Sequence, residues 1–284
     1  MQEATPIVVS ASRRTDLPCF YISFLEEVLE TGHADVRSPH GKTYAVDLRP
    51  ENVHTLVFWS KNYRHFLGID APIRRYLKRY AQLFFQMSIT GLSGECMEAG
   101  SPCVADALRQ IPEIVALAGS PDRVTLRFDP IVFWREGCAV RSNISCFEEI
   151  ASQAVAHGVK RIVTSFAQWY GKSVQRATAC RLDYIDPPFD EKISLARELG
   201  VSAAKLGAHL SICSQHMIAK ASGLQASSCI DGRLLAALHP QKLPLNPQKD
   251  PGQRPDCLCC RSRDIGSYSQ VCSNRCVYCY AATS

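Results

Sequence analysis

At 284 residues, with 46% hydrophobic and 21% charged residues, the chain can bury one barrel-sized core or two smaller ones and has an ordinary globular composition. Its net charge of +5 suits anionic small molecules, and without any run of Lys or Arg no nucleic-acid partner is expected. The start, Met1-Gln-Glu-Ala-Thr-Pro, lacks a basic-then-apolar leader, and no apolar run approaches ~18 residues, so the expectation is a cytoplasmic protein with no membrane partner.

The first apolar run, Ile7-Val8-Val9, breaks into the polar burst Ser10 to Pro18. A short β-branched run ending this way predicts a buried strand with a functional loop at its C-terminal end. Phe20, Phe24, Leu25, Val28 and Leu29 then form a helical stripe that Gly32 ends. The same pattern repeats. Strands are predicted over 54–59, 83–89, 124–128, 161–166, 209–213 and 224–229. Helices are predicted up to Tyr80, over Val104 to Ala118, around Cys146 to His157, and from Asp190 to Ala204. Asp264 to Tyr268 supplies a short eighth strand.

Strands alternating with helices predict a parallel sheet. Seven units plus one match a TIM-like (β/α)8 or partial barrel, in which the strand C-terminal ends share one mouth. An open doubly wound sheet is the alternative, but no G-x-G-x-x-G or G-x4-G-K-[ST] follows any strand. The expected division is barrel units over 1–238, a Pro-rich linker over 239–256, and a cysteine-rich segment over 257–284 that closes the barrel.

Cysteine is the compositional outlier, at 14 residues. In a reducing compartment, clustered cysteines read as metal or catalytic ligands. Cys272, Cys276 and Cys279 are spaced C-x3-C-x2-C. A closed structural site wants four ligands, so three leave one position open. One reading is a [4Fe–4S] cluster with one iron free for a ligand. The other is a zinc knuckle completed by Cys257, Cys259 or Cys260, in a zinc-stabilised barrel acting as a binding module. Cys257, Cys259 and Cys260 themselves form a second cluster, C-x-C-C. They read as ligands of a second metal or as thiols for a soft substrate, and as an oxidation liability if exposed in a polar linker. Cys213 and Cys229 end strands and either line the mouth or pack as small hydrophobes.

The C-x3-C-x2-C motif, with Tyr278 before its last cysteine, resembles the cluster motif of the radical S-adenosylmethionine (SAM) superfamily. That superfamily usually carries it after the first barrel strand. Here it follows the last, which implies a radical SAM-like barrel circularly permuted so that the cluster loop lies at the C-terminus. The whole chain resembles the family of domain of unknown function 1848. The matching pieces are Ser10-Ala-Ser-Arg-Arg-Thr-Asp16, Phe58-Trp-Ser-Lys-Asn62, Arg127-Phe-Asp-Pro130, Cys229-Ile-Asp-Gly232, and Asp264-Ile-Gly together with Cys-Val-Tyr-Cys-Tyr-Ala281. It is also similar to the radical SAM type of arsinothricin biosynthesis.

The resemblance implies a [4Fe–4S] cluster, SAM as cofactor, a small-molecule substrate, and an electron donor such as flavodoxin or ferredoxin. Two reactions are compatible with it. One transfers a 3-amino-3-carboxypropyl group to a soft acceptor such as As(III). The other abstracts hydrogen through a 5′-deoxyadenosyl radical. Arg13 or Arg14 is expected to grip the SAM carboxylate or an anionic substrate, with Asp16 capping the next helix. Lys61 and Asn62 end the second strand, where a charge needs a ligand or partner. Arg127 and Asp129 share one side of the fourth strand and read as ligand binders or as an ion pair. Ser165, Tyr170, Lys172 and Asp231 are weaker candidates of the same kind. Gln215 stands where the resemblance leads to a carboxylate, which implies a different pocket there.

Overall fold

The computed structural model describes residues 6–37, 41–94 and 96–281. The outer ends of the first and last expected divisions, 1–5 and 282–284, lie outside the described residues. Eight strands form one sheet: β1 (Ile7–Ala11), β2 (Val53–Ser60), β3 (Leu83–Ser88), β4 (Val124–Ile131), β5 (Arg161–Phe166), β6 (His209–Cys213), β7 (Gln225–Ser227) and β8 (Arg263–Asp264). Their order is β7-β6-β5-β4-β3-β2-β1-β8. Every pairing is parallel. The fold class is therefore α/β, built on a large parallel sheet.

Side chains leave a strand alternately to either face, and the sheet is apolar on both. Val9, Leu56, Phe58, Phe85, Leu126 and Phe128 pack on one face with Leu25, Val28 and Leu29 of the helix Ile22–Thr31. Val8, Val57 and Phe84 turn to the opposite face and meet Ile230, Leu235, Cys257, Cys259 and Cys260. Burial on both faces is why these strands read as continuous apolar runs.

A closed barrel is not detected. No strand pairing joins β7 to β8 among the described residues. β7 has three residues and β8 two, and five prolines between Pro240 and Pro255 lack the N–H groups a ladder needs. The cysteine run reaches across instead. The Cys260 backbone N–H donates to the Ile230 carbonyl at 3.0 Å, and the Ile230 N–H to Cys259 Sγ at 3.3 Å. The thiols of this stretch are therefore not exposed in a polar linker. Cys257, Cys259 and Cys260 are 9%, 2% and 2% exposed, because they fill apolar space that the short strands leave.

Other departures are local. The eighth strand stops at Asp264, whose side chain is drawn back to β1, rather than running to Tyr268. The helix expected up to Tyr80 is a single 3-10 turn, Arg64–Phe66, and a short helix, Ile73–Leu77. Gly68, at φ 77°, and Pro72 interrupt it. An antiparallel hairpin, His33–Arg37 with Thr43–Asp47, was not foreseen, nor was a second antiparallel sheet of Phe133–Glu136, Ala139–Ser142 and Asp183–Ile185. No helix among the described residues is long and apolar enough to cross a membrane.

Candidate functional site

The polar bursts that end the strands converge. A cavity of about 340 Å³ is lined by Arg13 and Arg14 after β1, Lys61 after β2, Ser88 of β3, Arg127 and Asp129 of β4, Ser165 of β5, Cys213 of β6 and Cys229 after β7. Cys257, Cys259, Cys272, Cys276 and Cys279 line it too. Half of the 14 cysteines, drawn from four separate stretches, therefore face one space.

The cysteine loop after β8 is held by the rest of the chain. The Asn274 amide donates to Asp16 Oδ2 at 2.9 Å, and Asp16 also accepts from Ser60 Oγ at 2.7 Å and from the Lys61 backbone N–H at 3.0 Å. Asp16 caps the helix Leu17–Phe20 as expected, but its carboxylate does more than cap. The Val277 N–H donates to the Met97 carbonyl at 3.0 Å, and the Gly100 N–H to the Asn274 carbonyl at 3.1 Å. Gly100 must be glycine for this approach, since a Cβ there would lie 1.9 Å from the Ser273 carbonyl oxygen. Arg176 donates to the Val277 and Cys279 carbonyls, and Tyr280 Oη to the Arg13 carbonyl at 2.9 Å.

Asp264 joins β8 to β1. It accepts from Ser10 Oγ at 2.9 Å, Ser12 Oγ at 2.6 Å and the Arg13 N–H at 2.8 Å. This puts β1 and β8, some 250 residues apart in the chain, at one edge of the cavity.

The thiols of the loop sit in a dry environment. Burial pushes Cys272, Cys276 and Cys279 up from the ordinary thiol value, Cys276 the most, although Lys61 partly offsets it there. Lys61 Nζ is 2.9 Å from Glu98 Oε1, and Thr90 and Tyr278 hydroxyls donate to the same carboxylate. Burial would lower Lys61, but Glu98 and Cys276 hold it above its usual value.

Arg13 is anchored at one end and open at another. Nη2 donates to Ser262 Oγ at 3.0 Å and Nε lies 3.8 Å from Asp264, while Nη1 is buried with no hydrogen-bond partner. A buried guanidinium N–H without a partner is costly, and it offers a ready donor to an anion in the cavity. Arg14 is more fully engaged, with Nη1 on the Gly266 carbonyl at 2.9 Å.

The family model described as a domain of unknown function (DUF1848) matches residues 8–281. The chain belongs to this family. No curated protein matches it. Among solved structures it is similar to a D-allulose 3-epimerase from Methylomonas sp. (10% identity, TM-score 0.39, covering 85% of this chain and 71% of that one). It is similar also to a D-hydantoinase from Bacillus sp. AR9 (11%, 0.29, 62% and 38%) and a type I 3-dehydroquinate dehydratase from Clostridium difficile (12%, 0.30, 78% and 69%). Scores this low carry no argument about fold or chemistry.

Of the residues singled out in the sequence, Arg13, Arg14, Lys61, Arg127, Asp129, Ser165, Tyr170, Cys257, Cys259 and the three loop cysteines meet at the cavity. Asn62 and Asp231 are not among its lining. The Asn62 side chain accepts from the Arg64 N–H and the Gln110 amide, and Asp231 caps the helix Gly232–Leu238. Lys172 is also outside the lining. Cys260 faces away, its sulfur next to Gly232. Gln215 accepts from the Phe166 N–H at 2.8 Å and donates to the Phe166 carbonyl at 3.0 Å. A carboxylate could accept but not donate here, so the amide has a structural reason. Sequence reasoning missed Glu98, Asn274 and Arg176. Only Asn274, inside the cysteine motif, had a local signal.

Among the described residues, no group of three or more His, Cys, Asp or Glu could hold a metal ion. One zinc bound at ~2.3 Å would need thiolates within roughly 4 Å of one another. An iron–sulfur cluster asks for something wider, because each thiolate binds a different iron. Cys272, Cys276 and Cys279 all line the cavity.

Proposed function

We propose that this protein is a radical SAM enzyme. Cys272, Cys276 and Cys279 would hold a [4Fe–4S] cluster, and the cavity would take SAM and a small-molecule substrate. The observation that carries this reading is that all three thiols of the C-x3-C-x2-C loop line the cavity onto which the strand ends converge. In this reading the sheet is a barrel opened between β7 and β8. Because β8 pairs with β1, a loop at the end of the sequence shares a mouth with the loop after the first strand, as a circular permutation requires.

When bound and reduced, by a donor such as flavodoxin or ferredoxin, such a cluster supplies the electron that breaks a sulfonium C–S bond. The chain does the rest. Arg13 Nη1, the one nitrogen of that guanidinium without a partner, would donate a charge-assisted hydrogen bond to a carboxylate. Lys61 places a buried positive charge beside Cys276 and favours its thiolate. Arg127 donates to Cys229 Sγ at 3.0 Å and pairs with Asp129. Cys213, Cys229, Cys257 and Cys259 give one wall a soft-donor character that suits a thiophilic acceptor such as As(III). That wall favours 3-amino-3-carboxypropyl transfer over hydrogen abstraction.

Anaerobic purification or reconstitution, followed by iron analysis, tests the cluster. About four irons and absorption near ~400 nm are expected. A colourless protein carrying only zinc would sink the reading. Incubation with SAM and a strong reductant then separates the reactions. Methylthioadenosine supports aminocarboxypropyl transfer, and 5′-deoxyadenosine supports hydrogen abstraction.

A further inference from the structure

Five Arg and Lys side chains line the cavity, and four of them already pair with a carboxylate. Arg13 and Arg14 lie 3.8 and 3.9 Å from Asp264, Lys61 lies 2.9 Å from Glu98, and Arg127 pairs with Asp129. Asp16, the other lining carboxylate, is taken up by Ser60, Asn274 and the Cys19 and Lys61 backbone N–H groups. The fifth cation is Arg254. Its contacts are a hydroxyl and a ring: Nη1 donates to Tyr170 Oη at 2.7 Å, and the guanidinium lies over Tyr280, 5.5 Å from the ring centroid. No carboxylate pairs with it among the described residues. A ring face attracts a cation but carries no net charge to neutralise it.

The same contacts fix which edge of the guanidinium is free. With Nη1 on Tyr170, the parallel N–H groups of Nε and Nη2 have no acceptor among the described residues. That edge is the fork with which Arg grips two oxygens of one carboxylate or phosphate. Tyr170 follows β5 and Tyr280 follows β8, and they are 39% and 48% exposed. Arg254 is exposed as well, so the fork stands at the outer edge of the cavity.

We propose that Arg254 is a specificity-determining residue that binds an oxyanion group, carboxylate or phosphate, of a small-molecule ligand at the cavity rim, with Tyr170 and Tyr280 holding the guanidinium in place. The inner cations are matched by carboxylates of the chain itself, so the spare positive charge at the rim selects for a ligand whose outermost end is an anion. Calling that ligand a substrate rests on the proposed function, and the anion site does not.

The test is isothermal titration calorimetry of the full-length protein at constant ionic strength, with inorganic phosphate in one arm and acetate in the other. Saturable binding is expected in at least one arm, and the tighter arm identifies the oxyanion. Arg254→Gln should weaken that binding at least about tenfold, and Tyr170→Phe should weaken it less. Arg254→Lys should restore little, because an ammonium has no fork, and full rescue by Lys would overturn the assignment. Arg254 is exposed, so its variants should keep the wild-type denaturation midpoint. Absence of saturable binding in both arms would overturn the proposal. So would binding that is lost in Arg13→Gln and unchanged in Arg254→Gln, which would place the anion at the inner arginine. Iron is measured in parallel: a protein that takes up no iron yet binds the anion through Arg254 sustains this proposal and sinks only the cluster assignment.

Discussion

Lys61 and Glu98 form a buried ion pair, with Nζ 2.9 Å from Oε1 and side chains only 11% and 3% exposed. The pair bridges the end of β2 and the segment that docks the cysteine loop. Removing one partner leaves a charge uncompensated, which costs about 3–5 kcal/mol. Lys61→Met should lower stability by that order in chemical denaturation. The double variant with Glu98→Met should recover part of the loss, and equal losses in single and double variants would refute the pairing.

The same pair predicts a pH window. Burial would raise the Glu98 carboxyl, but Lys61, Thr90 and Tyr278 outweigh it and hold the group below its usual 4.5. Its contribution is present above 4.5 and lost as pH falls through the lower folded value. Lys61 is held above its usual 10.5, so its contribution is present below 10.5 and lost as pH rises further. Denaturation midpoints across pH should fall away below 4.5, and less steeply in Glu98→Gln.

Asp264 accepts three hydrogen bonds from β1 and the residues just after it, across some 250 residues of chain. Hydrogen bonds to a charged group contribute about 1.5–3 kcal/mol each. Asp264→Ala should therefore cost several kcal/mol, and limited proteolysis should release the segment after Pro255. A protected C-terminal segment in that variant would contradict the role given to Asp264.

Gly100→Ala should disturb the loop without touching a thiol. Its new Cβ would overlap the Ser273 carbonyl oxygen at 1.9 Å, and backbone must move. Iron bound on reconstitution should drop well below wild type, as in Cys276→Ala. Cys260→Ser should leave iron unchanged, because Cys260 faces Gly232 and not the cavity.

Cys257 should be the cavity thiol alkylated first. Its value of about 7 predicts that labelling by iodoacetamide rises through neutral pH, whereas Cys259 and Cys260, both near 11, require alkaline conditions. Peptide-resolved labelling between pH 6 and pH 10 checks this, and co-labelling of all three would refute it.

Much of this was legible in the sequence for a definite reason. Parallel strands buried on both faces must be continuous apolar runs, so β1 to β5 stand out as apolar stretches that end in polar bursts. The polar residues ending them must face one side, so Arg13, Lys61, Arg127 and Asp129 could be named. The spacing of Cys272, Cys276 and Cys279 marked the loop by itself. Local chemistry also explains two residues that did not reach the cavity: Asn62 and Asp231 sit at turn and helix starts, where short polar side chains satisfy backbone N–H groups.

The tertiary structure decided which thiols meet. Between Pro240 and Pro255 there is no periodicity to read, so nothing in the sequence says that this stretch turns Cys257 and Cys259 inward and Cys260 away. Nor could spacing show that Cys213 and Cys229, 16 residues apart, touch. Glu98 lies in an irregular segment, and its role exists only through Lys61, Thr90 and Tyr278, which come from three other places in the chain. Short-range pattern reports burial and turn chemistry; convergence across 250 residues depends on strand order, with β8 placed beside β1.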